Sequence, residues 1–268
     1  MDFFVKELPN KDYYKLIICV FGCATIPEYK NEVLKIEETW GKCACENGVK
    51  VLYFFGEELT DLKDESKFIY LKNVGNDYQS ATHKQNLGLK HIYDNYNADF
   101  IFCCGTDTYI NIPKTLLYLN AYDCNHPIYI GGHGCERKIG DQDYYYHCGG
   151  AGFIITKCCL NGIQSMLPGM FSEWSKICFD NNLDLTNACD TALGYFLINH
   201  FNDSLIVVIN NSSFFSCNYK GVIRHGKETY YYCHSNNIQI FNIISCHCMS
   251  SIDFDDFNKI LRDNKYFI

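Results

Sequence analysis

The chain has 268 residues, 47% of them apolar and 20% charged, with a formal net charge of −8. That composition supports a sizeable core and excludes a disordered or collagen-like chain. The acidic balance disfavours broad adhesion to nucleic acid or anionic membrane, and the longest apolar run, Leu16–Ile26, is about half the ~20 residues of a membrane span and contains Gly22. Short apolar β-rich runs then alternate with longer helical stretches, the pattern of an α/β sheet. LIICVF (16–21) reads as a buried strand, and a turn over 22–27 leads into a helix over 28–40 with Val33, Ile36 and Trp40 on its core face. Strands follow at 50–55 and 67–71. A helix over 77–96 buries Leu87, Leu89, Ile92 and Tyr93, and a strand at 99–104 runs straight into GTDTYIN. The second half predicts a helix at 112–119, strands at 127–130, 153–156 and 205–209, and helices at 188–200 and 254–261. Between them, the Gly- and Tyr-rich stretch 131–152 is too polar for core and is expected to be a substrate-facing loop or hairpin, with Tyr144–Tyr146 stacking on a ligand or packing.

Seventeen cysteines resemble a disulfide framework, but the count is odd. Many lie in apolar runs, such as Cys19, Cys103, Cys104, Cys158 and Cys159, where cysteine behaves as a small hydrophobe. The opening MDFFVKELPNKDYY has no basic and apolar export pattern, which favours a reducing compartment. No C-x-x-C occurs, and the pairs Cys43/Cys45 and Cys246/Cys248 are spaced too closely for a structural zinc knuckle.

Chemistry collects after the strand at 99–104. Ligands of α/β sheets bind at the carboxyl ends of strands. FIFCCGTD presents one acid there, Asp107. Its carboxylate suits Mg²⁺ or Mn²⁺ on a diphosphate, or it caps the next turn.

Six segments in order carry a resemblance: ATIPEYKNEVLKIEETWGK (24–42), DYQSATHKQNLGLKHIYDNY (77–96), GTDTYIN (105–111), HCGGAGFIIT (147–156), ACDTALGYFL (188–197) and ISCHCMSSIDFDDFNKIL (244–261). Together they resemble the fringe and core-1 galactosyltransferase family, inverting β1,3-glycosyltransferases. The resemblance implies an α/β protein of GT-A type, with a central mixed, mostly parallel sheet flanked by helices. It implies a single domain over 1–268, with a nucleotide-sugar half (about 12–107) and an acceptor half (about 108–268). It also implies a UDP-sugar donor, a glycan or glycosylated acceptor, and Mn²⁺ or Mg²⁺ on the diphosphate. Neither nucleic acid nor a membrane span is expected.

By the same resemblance, Asp107 is the surviving acid of a three-acid metal motif whose first two positions are Gly105 and Thr106 here. His247 fits the family's C-terminal histidine ligand, with His234 the competing candidate. Asp190 aligns with the catalytic base, next to Cys189 in place of a second acid, while a helix N-cap is its alternative role. Donor contacts are expected from Thr25, Lys30, Asp77, Lys84, Thr106, Asp107, Gly149, Gly150 and Gly152. For Lys84 the alternative is a solvated charge, for Asp77 an N-cap, and Trp40 belongs to the core. Lacking the anchor and stem of the family's animal members, the chain reads as a cytoplasmic catalytic domain, from a microbe or large DNA virus. A catalytically silent nucleotide- or glycan-binding relative is the alternative that Gly105 and Thr106 support. The reducing reading has a direct consequence: unfolded without reductant, the protein should titrate for nearly all 17 thiols, and several native disulfides found by mass spectrometry would contradict it.

Overall fold

Strand β1 (Asp12–Phe21) is the spine of the fold, with Leu16 through Val20 sealed from solvent on both faces. A computed structural model describes residues 11–57, 62, 64, 66–202, 205–225, 228–231 and 239–264. After β1 come helices α1 (Pro27–Glu38) and α2 (Trp40–Glu46), strands β2 (Lys50–Phe55) and β3 (Phe68–Tyr70), helix α3 (Ala81–Asn95) and strand β4 (Tyr96–Cys104). The two-residue strand β5 (Tyr109–Ile110) precedes α4 (Ile112–Leu119), β6 (Ile128–Gly131), the hairpin β7 (Gly134–Ile139) and β8 (Gln142–His147), and β9 (Phe153–Thr156). Helices α5 (Lys157–Ile163), α6 (Leu167–Asp180) and α7 (Cys189–Phe201) follow, then β10 (Val207–Asn210), β11 (Phe214–Phe215), the hairpin β12 (Val222–His225) and β13 (Glu228–Tyr231), β14 (Ser245–Cys246) and α8 (Ser251–Asp263).

Seven strands form the main sheet in the order β10-β6-β9-β4-β1-β2-β3. Only β9 runs against its neighbours, pairing antiparallel with β4 and β6. The sheet is therefore mixed and mostly parallel, as expected. Alternation along the strands sorts the core into two layers. Leu16, Ile18, Val20, Tyr53 and Phe55 face α1, α2, α4 and α8; Ile17, Cys19, Leu52 and Phe54 face α3, α5, α6 and α7. Each large side chain so buried contributes about 1.5–3 kcal/mol. A small second sheet, β11-β14-β5, stands beyond the carboxyl end of β4.

The structure differs from the sequence expectations at several points. The helix over 28–40 breaks at Thr39, whose backbone (φ −114°, ψ −105°) leaves the helical region before α2 begins at Trp40. The helix over 77–96 starts only at Ala81, because Asp77 folds the preceding turn by accepting the Ser80 N–H at 2.8 Å. Helices α5 and α6 were not anticipated, although Leu167, Met170, Trp174 and Cys178 recur at helical spacing and are buried. The stretch 131–152 is a hairpin, but a half-buried one: Tyr144, Tyr146 and His147 are buried, so two of the three consecutive tyrosines pack. Every described cysteine is a free thiol. Among the described residues, no helix is long and apolar enough to cross a membrane.

Trp40 ties the fold to the loop after β4. Its ring is fully buried and its Nε1–H donates to the Thr108 carbonyl at 3.1 Å. Trp40→Phe keeps most of the volume but orphans that carbonyl, a loss of about 1–3 kcal/mol; Trp40→Ala adds a cavity and should cost about 3–5 kcal/mol. Urea unfolding of both variants checks the ranking, and a Trp40→Phe variant as stable as the parent would show that the hydrogen bond adds nothing beyond bulk.

Candidate active site

The small sheet brings two distant segments together. Strands β5 and β14 pair antiparallel, Tyr109 opposite Cys246 and Ile110 opposite Ser245. The ladder continues with the Met249 N–H donating to the Asp107 carbonyl at 3.0 Å, while the His247 N–H is held by the Phe215 and Cys217 carbonyls, each at 3.1 Å. Asp107 Oδ2 consequently lies 3.0 Å from His247 Nε2. On the other side of the imidazole, Nδ1 meets the Cys248 thiol at 3.3 Å. One potential ligand atom from each of Asp107, His247 and Cys248 lies within 4.8 Å of the others.

The electrostatics of this corner favour positive charge. Burial acts to raise the Asp107 carboxyl, but the His247 imidazolium and backbone donors outweigh it, and Asp107 titrates below its ordinary range. Burial pushes His247 down, yet attraction to Asp107 lifts it well above the usual imidazole value. A carboxylate oxygen and an imidazole nitrogen suit Mn²⁺ and accommodate Mg²⁺, whereas the Cys248 thiol is a softer donor. These residues fit a divalent cation. Glu32 of α1 approaches from the side, its carboxylate accepting the Thr106 hydroxyl. Burial and the nearby Asp107 push Glu32 up to about 8. Sequence reading missed Glu32, because nothing in a helix pattern marks one glutamate as facing a loop far along the chain.

A cavity of about 140 Å³ opens beside this pair, lined by Cys23, Tyr29, Tyr78, the expected metal ligand His247 and, among the expected donor residues, Asp77, Lys84, Thr106 and Asp107. Lys84 is 1% exposed, so it is not the solvated charge of its alternative reading. Its ammonium donates to the Asp77 carbonyl at 2.8 Å and to Cys23 Sγ at 3.0 Å. Neither partner is a carboxylate. Asp77 lines the cavity but is not the N-cap of its alternative reading: that position is Ser80, without a side-chain cap, and Asp77 holds the turn before it. Thr25 is exposed in the turn before α1, and neither it nor Lys30 lines the cavity. His234 lies outside the described residues.

Gly149–Ala151 form one 3-10 turn that joins Asp190 to His247. The Gly149 N–H donates to Asp190 Oδ2 at 2.8 Å, and the Thr191 N–H to Oδ1 at 2.7 Å. Asp190 is the second residue of α7; the cap position is Ala188, without a side-chain cap, so the N-cap role expected as its alternative is not the one observed. At Gly150 a Cβ would lie 2.3 Å from His247 Nδ1, and Gly152, at φ +75°, adopts the left-handed backbone that suits glycine. Thr108 Oγ1 and Ser245 Oγ lock the turn by donating to the Gly150 and Ala151 carbonyls at 2.9 and 2.6 Å.

The sequence profile of the Fringe-like family matches residues 18–215, most of the chain and all but the last of the six segments. The chain belongs to the Fringe-like family. No curated protein matches it by sequence. Among solved structures, a glycosyltransferase involved in the glycosylation of the major capsid of PBCV-1 is similar over 91% of this chain and 98% of its own, at 13% identity and TM-score 0.52. The galactosyltransferase LgtC, in complex with donor and acceptor sugar analogues, is similar over 91% of this chain and 95% of its own, at 11% identity and TM-score 0.50. These likenesses bear on the fold, which is GT-A.

With the family comes the coarse activity, glycosyl transfer. Within the Fringe-like frame the Gly149–Ala151 turn is the joint on which the site's geometry hangs. Gly150→Ala should therefore displace His247 while leaving the core intact. Circular dichroism should be unchanged and Mn²⁺ affinity should fall at least about tenfold; an alanine variant that binds Mn²⁺ as tightly as the parent would show that His247 needs no such clearance.

Proposed function

We propose that this Fringe-like protein transfers a hexose or N-acetylhexosamine from a UDP-sugar to a hydroxyl of a glycan or glycosylated acceptor, inverting the anomeric centre and forming a β1,3 linkage. One observation carries the reading: adjacent residues of a single turn, Gly149 and Gly150, contact Asp190 and His247 respectively. A carboxylate base and a cation site are thereby held in one small space. An in-line displacement needs that combination, one group receiving a proton as another end of the donor leaves.

Each residue then has a task. Asp107 and His247 would hold the divalent cation, which when bound supplies Lewis-acid neutralisation of charge on the departing diphosphate. The buried Lys84 ammonium, hydrogen-bonded among the described residues to a thiol and a carbonyl, offers positive charge under the donor cavity. Tyr29 and Tyr78 provide aromatic surface in the same cavity. Burial and the nearby carboxylates of Asp190 and Asp107 raise Tyr78 above the ordinary phenol value. Asp190 takes the proton from the attacking hydroxyl. Its two backbone hydrogen bonds fix the carboxylate plane, and an ionised carboxylate oxygen retains a further lone pair for the acceptor.

A second cavity, of about 400 Å³, contains His133, Asn210, Asn211 and Phe215. Amide and imidazole groups beside an aromatic ring are the chemistry of a sugar subsite, and we assign it to the acceptor. Nucleotide-sugar binding in this reading belongs to the half of the chain ending near Asp107, and acceptor binding to the remainder.

Asp190→Asn tests the reading. It keeps size and can keep the bond from Gly149, but cannot accept a proton at neutral pH. Sugar transfer should fall by ~10²–10⁴-fold with UDP affinity nearly unchanged. Activity within a few-fold of the parent, at saturating donor and acceptor, would remove Asp190 from the base role. UDP binding by a parent protein that releases no UDP from any UDP-sugar would instead identify a silent binding relative.

A further inference from the structure

We propose that Glu32 supplies the second carboxylate of the cation site, restoring from helix α1 the negative charge that the metal motif lacks at Gly105 and Thr106. The inference rests on the cation reading of Asp107 and His247.

Three features of the structure support it. The Glu32 carboxylate is hydrogen-bonded to the motif itself, accepting from the hydroxyl of buried Thr106, which stands where the resemblance places an acid. The geometry of that contact is built in from both sides. Glu32 sits one residue before the buried Val33 on a helix anchored by Val33 and Ile36. Thr106 has its methyl pressed against Gly22, where a Cβ would lie only 2.7 Å away. Gly22 thus leaves room for the threonine methyl while the hydroxyl reaches Glu32.

Glu32 and Asp107 also line a common cavity of about 370 Å³, together with Glu28, Asn31 and Ser250. Asp107 belongs equally to the donor cavity, so a cation on Asp107 would be open to both spaces. Thr106 occupies Glu32 Oε2, and among the described residues no protein donor is bonded to Oε1.

Glu32 does not belong to the cluster of Asp107, His247 and Cys248 whose ligand atoms lie within 4.8 Å of one another. Its carboxylate therefore acts through a water on the cation, in addition to its bond with Thr106. Mg²⁺ characteristically keeps several waters, and such outer carboxylates commonly change metal affinity 10–100-fold. A single carboxylate and a neutral imidazole carry one negative charge between them. A bound cation would displace the proton that burial favours on Glu32, and the carboxylate so formed would bring that to two, matching the cation.

Calorimetric titration of MnCl₂ into the full chain without nucleotide tests the assignment. The parent should bind one Mn²⁺, and Asp107→Ala should abolish binding. Glu32→Gln, which can still accept the Thr106 hydroxyl, should weaken Mn²⁺ about 10–100-fold. Glu32→Asp, which keeps the charge, should lose less than Glu32→Gln, and Glu28→Gln should stay within about twofold of the parent. Circular dichroism confirms that each variant is folded. If Glu32→Gln binds Mn²⁺ within about twofold of the parent while Asp107→Ala does not bind it, Glu32 is only a hydrogen-bond partner of Thr106 and the proposal is overturned. A parent that binds no Mn²⁺, or an Asp107→Ala variant that binds normally, overturns the cation reading itself and Glu32's role with it.

Discussion

The site depends on two pairs of residues in an antiparallel ladder. Strands β5 and β14 are each only two residues long, yet their pairing sets Asp107 beside His247 across most of the second half of the chain. The ladder survives because both strands are buried among larger elements. Tyr109 packs on Phe254 and Phe257 of α8, and its hydroxyl bonds Asn258 at 2.9 Å. Helix α8 is in turn started by a reciprocal capping box between Ser250 and Asp253, immediately after the ladder ends. Cap, helix and aromatic cluster together fix the segment that carries the histidine.

The same corner concentrates costs that a structural core would avoid. An Asp–His ion pair, a carboxyl at Glu32 and the lysine at 84 lie around the carboxyl end of β4. Ionised groups removed from water destabilise a fold unless they are paired with good geometry. Here the pairing is partial: Lys84 faces a thiol and a carbonyl, and Glu32 faces a hydroxyl. Such an arrangement is balanced when a charged ligand completes it, which is why perturbed titration and a cavity coincide at functional sites.

Helix α3 ties the segment of Asp190 to the cavity beside Lys84. Thr82 Oγ1 donates to the Thr186 carbonyl at 2.8 Å and Gln85 Nε2 to the Cys189 carbonyl at 2.9 Å, so the segment leading into α7 is clamped to the helix that carries Lys84. The clamp joins α3 and the start of α7 through buried polar groups. Among the described residues, Gln85 Oε1 and both polar atoms of the Asn86 side chain are buried without a protein partner. These are departures from ordinary core chemistry that accompany the site and are absent from the sealed strands of β1.

Much of this was legible in the order of residues. Apolar runs such as LIICVF and DFIFCC determined buried strands, because a strand covered on both faces must be apolar throughout. The family resemblance, carried by six segments, led to the GT-A fold and to Asp107, His247 and Asp190. What the sequence could not convey was contact between segments. Glu32 reads as one more acid on an amphipathic helix until β1 and β4 set α1 beside Thr106. Lys84 stays open between a donor contact and a solvated helical charge until α3 packs against the sheet and buries it. The N-cap alternative for Asp190 is set aside only by where α7 begins, one residue earlier than the acid itself. Hydrophobic periodicity is a local property and fixes which face of an element turns inward. The partners that a polar side chain meets there are set by long-range packing, and only the tertiary structure decided them.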